Sequence, residues 1–183
     1  MDTQEEIVTA SQSIYQGKIV HLRVNQVRLP DGRSAQREIV EHKGAVCIVP
    51  VREDGAILMV RQFRLAAQGV LLEIPAGTLE AGEDPDVCAA RELEEETGFR
   101  AGKLRPLFSM FLAPGYSTER IHAYLATELT PGHTHFDADE NLQLEAIPLA
   151  DLERRILAGE IHDAKTIASL LAVGILQRKE AME

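Results

Sequence analysis

Between Asp84 and Phe99 the chain reads DPDVCAARELEEETGF, with Glu92, Glu94, Glu95 and Glu96 crowded into five consecutive positions. Asp84 suits an N-cap, Pro85 the first helical position and Gly98 the residue just beyond the end, so the spacing predicts a helix over Asp84–Thr97. At about 100° per residue, Glu92, Glu95 and Glu96 fall within roughly a third of the helix circumference, while Glu94 points elsewhere. Cys88 and Ala89, one turn earlier on that side, are expected to leave space above the carboxylates. Val87, Ala90 and Leu93 are expected to make apolar contacts on the other sides. Three carboxylates at i, i+3 and i+4 repel one another, and the last turns of a helix disfavour negative charge. Arg91, four residues before Glu95, offsets part of this. Such a run is either a solvated acidic face or a ligand set for a hard divalent cation such as Mg²⁺ or Mn²⁺.

The rest of the chain narrows the setting. At 183 residues it has room for one domain with a sizeable core plus a small appendage. With 45% hydrophobic and 26% charged residues it has the composition of a soluble globular protein. No stretch approaches the ~18 apolar residues of a membrane span, and the acidic, polar amino end is unlike a secretory signal peptide. Cys47 and Cys88 lack metal-ligand or redox spacing and read as small buried hydrophobes, so a cytoplasmic location is expected. A formal net charge of −10 repels polyanions, which argues against a nucleic-acid polymer as partner. A small phosphate compound could still bind, provided cations and local arginines reverse the field.

Alternation of Val20, Leu22 and Val24 with polar residues predicts a strand over Lys18–Arg28, and Pro30-Asp31-Gly32 predicts a turn into a returning strand at Arg37–Glu41. This hairpin, preceded by a dozen residues without clear period that are expected to fray, is too small to stand alone. Ala45–Val51 and Ile57–Phe63 are expected to pair across Glu53-Asp54-Gly55. Further strands are predicted at Val70–Ile74, Leu104–Phe111, Ile121–Thr127 and Leu142–Ile147, and helices at Asp151–Ala158 and Asp163–Arg178. The order implies an α/β (α+β) mixed sheet with packed helices over 44–183, preceded by a small β region over 1–43.

The segment Gly77–Phe99 satisfies the pattern G-x5-E-x7-R-E-U-x-E-E-x-G-U, where U is a bulky apolar residue. The matching positions are Gly77, Glu83, Arg91, Glu92, Leu93, Glu95, Glu96, Gly98 and Phe99. This resembles the signature of the Nudix hydrolases. The resemblance implies an α/β/α sandwich with a mixed sheet and a loop–helix–loop that binds metal and diphosphate. It implies Glu92 and Glu96 as principal metal ligands, Glu95 as a further ligand or water-orienting base, and the Ala76 carbonyl as a ligand. Gly77, Glu83, Arg91 and Gly98 would support the motif structurally. Metal ions can acidify a water and clamp phosphate oxygens, and a carboxylate can take the water's proton.

Four segments are similar to the ADP-ribose pyrophosphatase branch. They are Arg61-Gln62-Phe63-Arg64, Glu73-Ile74-Pro75-Ala76-Gly77, Pro114-Gly115-Tyr116-Ser117 and Asp163-Ala164-Lys165-Thr166. The similarity runs from Gly17 to Leu171. It implies hydrolysis of ADP-ribose or a related nucleoside diphosphate sugar, with Arg64, Arg37, Glu73 and Ala76 as substrate-binding positions. It also implies a homodimer in which the amino-terminal β region reaches its partner. Glu140, in the acidic loop Asp137–Glu140, matches a catalytic glutamate of the branch, although the downstream position where relatives carry Glu is Gln143. The alternatives are another Nudix specificity (sugar nucleotide, dinucleotide or nucleoside triphosphate) and a non-catalytic nucleotide sensor. A sensor is expected to lose a motif carboxylate, and none is missing here. A calcium module fails for want of a 12-residue ligand loop.

Overall fold

The computed structural model describes residues 4–133 and 142–182. The chain forms two compact units, one of residues up to 44 with 111–120, the other of 45–110 with 121 onward. In the first, β1 (Ile7–Gln16), β2 (His21–Arg28) and β3 (Ser34–Glu41) make an antiparallel sheet in the order β1-β2-β3. The β2–β3 hairpin is as expected, and Gly32 closes its turn at φ +86° with its N–H on the Leu29 carbonyl. β1 overturns the expectation of a frayed amino end. All ten of its residues are exposed, so the strand has no buried face to leave a period in the sequence. It is held by its ladder to β2 and by β-favouring Val8, Thr9, Ile14 and Tyr15. Ser117 pairs beside Val40, whose N–H donates to the Tyr116 carbonyl at 2.7 Å, so the Pro114-Gly115-Tyr116-Ser117 segment belongs to this unit.

The second unit contains β4 (Ala45–Pro50), β5 (Ala56–Arg64), a 3-10 turn (Leu65–Ala67), β6 (Gly69–Glu73), β7 (Ala76–Thr78) and α1 (Pro85–Thr97). β8 (Phe99–Phe111), β9 (Arg120–Pro131), β10 (Gln143–Pro148), α2 (Leu149–Leu157) and α3 (Ala164–Glu180) follow. The sheets run β7-β4-β9-β8 and β10-β5-β6, with β4 parallel to β9 and antiparallel to β7.

Every residue of β4 is buried, and this corrects the expected β4–β5 hairpin. A strand apolar on both faces needs cover on both; β4 lies inside its sheet, paired with β7 and β9, while β5 joins the other sheet and packs Ile57 and Met59 on one β4 face. The Glu53-Asp54-Gly55 turn still forms, but only Val51 and Ile57 bridge across it. On one face of β4, Val46 and Ile48 pack with Cys88, Ala89 and Leu93 of α1 and with Tyr124. On the other, Ala45, Cys47 and Val49 pack with Ile57, Met59, Ile74, Leu170 and Val173. This is the α/β/α arrangement with a mixed sheet.

The face of α1 also differs from expectation. Cys88 and Ala89 are fully buried against β4 and leave no space above the carboxylates, while Val87 and Ala90 face solvent. The apolar stripe Cys88–Ala89–Leu93 continues into buried Glu96 and Thr97, which sit on the sheet side of the helix. Among the described residues no helix is long and apolar enough to cross a membrane. Leu93→Ala, at a site with no solvent exposure, is expected to lower unfolding free energy by about 2–5 kcal/mol in a denaturant titration, against about 0.5 or less for Val87→Ala. Equal losses would mean that the helix is rotated from this arrangement.

Candidate active site

The ends of α1 are fixed as the sequence predicts. Asp84 accepts the Asp86 N–H at 2.8 Å, and Gly98, at φ +71°, donates its N–H to the Glu94 carbonyl at 2.8 Å. The glutamates therefore occupy the last two turns, where their mutual repulsion must be met by a cation. Arg91 supplies it. Its Nε and Nη2 donate to the two Glu83 carboxylate oxygens at 3.0 Å each, and its Nη1 donates to Glu92 at 2.7 Å and Glu95 at 2.9 Å. Glu83 also accepts the Glu80 N–H at 2.9 Å. The Arg91 guanidinium and that amide hold the Glu83 carboxyl down at about 2, and Glu83 in turn pushes Arg91 up. Loop and helix are stitched together by one side chain.

β7 lies against the other side of the cluster. The Ala76 N–H donates to Glu96 Oε2 at 3.1 Å, and a Cβ at Gly77 would overlap the Glu92 carboxyl group. Adjacent residues of β7 thus meet glutamates one helical turn apart. β7 is placed there by antiparallel pairing with β4, Ala76 opposite Cys47 and Gly77 opposite Val46. Glu94 turns away to Arg100, at 2.7 and 2.8 Å, and to the His133 N–H, as the helical spacing predicts.

A second cluster forms where β5, β6 and α3 approach. Glu73, 3% exposed, accepts Arg64 Nε at 2.8 Å and Nη2 at 2.9 Å, and Lys165 Nζ at 2.6 Å. Lys165 also pairs with Asp163 at 3.0 Å. Thr166 ties α3 to the end of β6 by accepting the Ile74 N–H at 3.0 Å, while its hydroxyl donates to Asp163. Burial pushes the Glu73 carboxyl up, but Arg64 and Lys165 together outweigh it and hold it below its ordinary value. Arg64 is pushed up, first by its bond to Glu73, with the charges of Glu96 and Asp163 adding to the effect. Arg64 therefore lies in the electrostatic reach of both clusters.

The structure brings Glu92, Glu95, Glu96, Ala76, Gly77, Glu83 and Arg91 into one group and Arg64 and Glu73 into its neighbour. Arg37 lies in the amino-terminal unit and donates from Nε at 3.0 Å and Nη2 at 2.5 Å to Glu6, an ordinary surface ion pair. Glu140 lies outside the described residues. The residue that the sequence reading passed over as a site member is Lys165. Its signal was available: it sits in the first turn of α3, where a helix disfavours a cation.

Among the described residues no three Asp, Glu, His or Cys side chains converge as a ready metal cage. The group nonetheless suits a hard cation. Its donors are carboxylate oxygens, and the missing Cβ at Gly77 makes the seat in which the Glu92 carboxylate rests.

The chain is similar to proteins of known kind. The NUDIX domain profile matches residues 41–170, and that of the nucleoside diphosphate sugar hydrolase N-terminal domain matches 6–40. It is 40% identical to an ADP-ribose pyrophosphatase of Bacillus subtilis, over 100% of this chain and 98% of that one. It is 39% identical to a methanol dehydrogenase activator of Bacillus methanolicus, over 98% and 96% of the two chains. A crystal structure of an ADP compounds hydrolase superposes with TM-score 0.86 at 22% identity, over 97% of this chain and 96% of that one.

Two outcomes follow from the geometry. In Gly77→Ala the nearest atoms to the new methyl are those of the Glu92 carboxyl group, the far end of a flexible side chain, so the fold is expected to persist while the carboxylate is displaced. Calorimetric affinity for Mn²⁺ should fall at least about tenfold, the range for lost support of a ligand, and unchanged affinity would show that the seat is not needed. For Glu83 the folded value is depressed from 4.5 to about 2, so its contribution to stability is full above pH 4.5 and is lost as pH falls through about 2. The stability gap between the wild type and Glu83→Gln should narrow across that window in acid titrations. A gap independent of pH would rule out a charge contribution from this pair.

Proposed function

The chain belongs to the Nudix hydrolase family, and we propose that it hydrolyses the diphosphate bridge of ADP-ribose, or of a closely related nucleoside diphosphate sugar. ADP-ribose and water would give AMP and ribose 5-phosphate. The observation that carries the reading is the seating of Glu92 and Glu96 against Gly77 and Ala76, next to a buried carboxylate that grips a half-exposed arginine. The first is a place for a metal and the second a place for phosphate.

Glu92 and Glu96, with the Ala76 carbonyl, are the residues that would hold Mg²⁺ or Mn²⁺. When bound, the cation supplies an acidified water and neutralises charge on the phosphate oxygens. Glu95 reaches outward at 36% side-chain exposure, and it orients the attacking water and takes its proton. Glu140 is the second candidate for that proton. Arg64, half-exposed and braced by Glu73, contacts the diphosphate, which an arginine fork suits. Arg37 is the weaker substrate contact, since Glu6 already engages it. Water attacks phosphorus, the bond to the bridging oxygen breaks, and that oxygen leaves with the other phosphate. The full-length likeness to an ADP-ribose pyrophosphatase supports the choice of substrate.

We also propose a homodimer formed through the amino-terminal unit. Its β1 exposes Ile7, Val8, Ile14 and Tyr15, each more than half accessible, on an edge strand with unpaired backbone groups. Light scattering is expected to give twice the chain mass for the full chain, and a monomer with Ile14→Asp. A monomeric wild type at micromolar concentration sinks this proposal.

Product analysis with ADP-ribose, ADP-glucose, NADH and ATP, each with Mg²⁺ and with Mn²⁺, tests the reaction. AMP is expected from ADP-ribose at the highest kcat/KM, and turnover should vanish in Glu96→Gln while its fold persists. Preference for ATP would overturn the substrate, and near-normal activity of the variant would overturn the metal site.

A further inference from the structure

Two cations share the Glu73 carboxylate, and only one of them can reach a ligand. The Arg64 side chain is 40% exposed, whereas that of Lys165 is 10% exposed. Both bond the same oxygen, Oε2, Lys165 at 2.6 Å and Arg64 Nη2 at 2.9 Å. We propose that Lys165 is a positioning residue for the hydrolysis, acting through Glu73 to orient the Arg64 guanidinium and keep its charge available to the substrate diphosphate. The inference rests on the reading of Arg64 as a diphosphate-binding arginine.

A carboxylate held bidentately by a single guanidinium makes a neutral pair, which has little attraction left for an anion. Lys165 bonds Glu73 directly and leaves Arg64 the more cationic partner. Asp163 makes the line of four groups neutral as a whole, but it pairs with Lys165 at the far end from Arg64 and is the weakest of the charges acting on that arginine. The ammonium is itself in a costly place, buried and in the first turn of α3, where the helix dipole opposes it. Asp163 answers this with both oxygens: Oδ1 pairs with Lys165 at 3.0 Å, and Oδ2 caps α3 through the Thr166 N–H at 2.9 Å. Burial pushes the Lys165 ammonium down, but Asp163 and Glu73 more than offset it and keep it charged. The line Asp163–Lys165–Glu73–Arg64 thus runs from a helix cap to the substrate side of the site. Removing Lys165 alone leaves the Asp163 and Glu73 carboxylates without it and is expected to cost stability as well, so the readout of the role is KM and not the melting temperature.

The test is steady-state hydrolysis of ADP-ribose by the wild type, Arg64→Gln, Lys165→Met, the double variant and Lys165→Arg, with thermal unfolding of each. Arg64→Gln is expected to raise KM at least ~10-fold, and Lys165→Met to raise it ~5–20-fold with kcat changed less than ~3-fold. The double variant should be no worse than Arg64→Gln alone within ~2-fold, since both substitutions remove one device. Lys165→Arg, which keeps the charge, should recover most of the affinity. An unchanged KM in Lys165→Met, or additive effects in the double variant, overturns the proposal. Should Lys165→Met not fold, Lys165→Gln, which keeps a hydrogen bond to Glu73 but no charge, takes its place; a raised KM supports the proposal and an unchanged one overturns it. Failure of the underlying reading has a different signature: no turnover of ADP-ribose by the wild type, or a KM that Arg64→Gln does not move, and either takes this proposal with it.

Discussion

Carboxylates gathered on one face of a helix repel one another, and much of the second unit answers that repulsion. Arg91 bridges Glu83, Glu92 and Glu95, so one guanidinium both relieves the crowding and ties the preceding loop to the helix. Glu96 is relieved in another way, by turning toward the sheet and accepting a backbone N–H from Ala76. An acidic helix of this kind can be stable before any cation arrives, because the protein supplies positive charge of its own.

That solution depends on β4. Its two buried faces let α1 pack on one side and α3 on the other. Pairing of β7 with β4 then brings Ala76 and Gly77 to the glutamates, and Thr166 fastens α3 to Ile74 just before them. The glutamate group is therefore positioned by β4 through β7, and the segment Glu73–Gly77 leaving β6 links it to the arginine group. This is how Lys165, 92 residues beyond Glu73, comes to complete a cluster whose arginine shares an electrostatic field with the glutamates.

Legibility in the sequence followed the range of the physics. The limits of α1, the outward turn of Glu94 and the N-cap of α3 are local, set by caps and helical spacing, and they appear where the sequence places them. The β1 strand was hidden because none of its faces is buried, and a ladder to a neighbour leaves no period. The rotation of α1 was misread because alanine, cysteine and leucine are compatible with either side until the sheet is present. Lys165 was passed over as a site residue because Glu73, the buried carboxylate it bonds, lies 92 residues away in sequence.

The sequence by itself determined the helix, its caps, the carboxylate pattern and the family to which that pattern belongs. These depend on contacts within a few turns of chain and on a string of defined residue types. Only the tertiary structure decided which side of α1 meets the sheet, that Gly77 must lack a side chain because Glu92 occupies its space, and that β4 and β5 part company. It alone decided that Lys165 joins Arg64 on the Glu73 carboxylate. Each of those outcomes rests on packing or charge between segments far apart in sequence, for which no local pattern carries a signal.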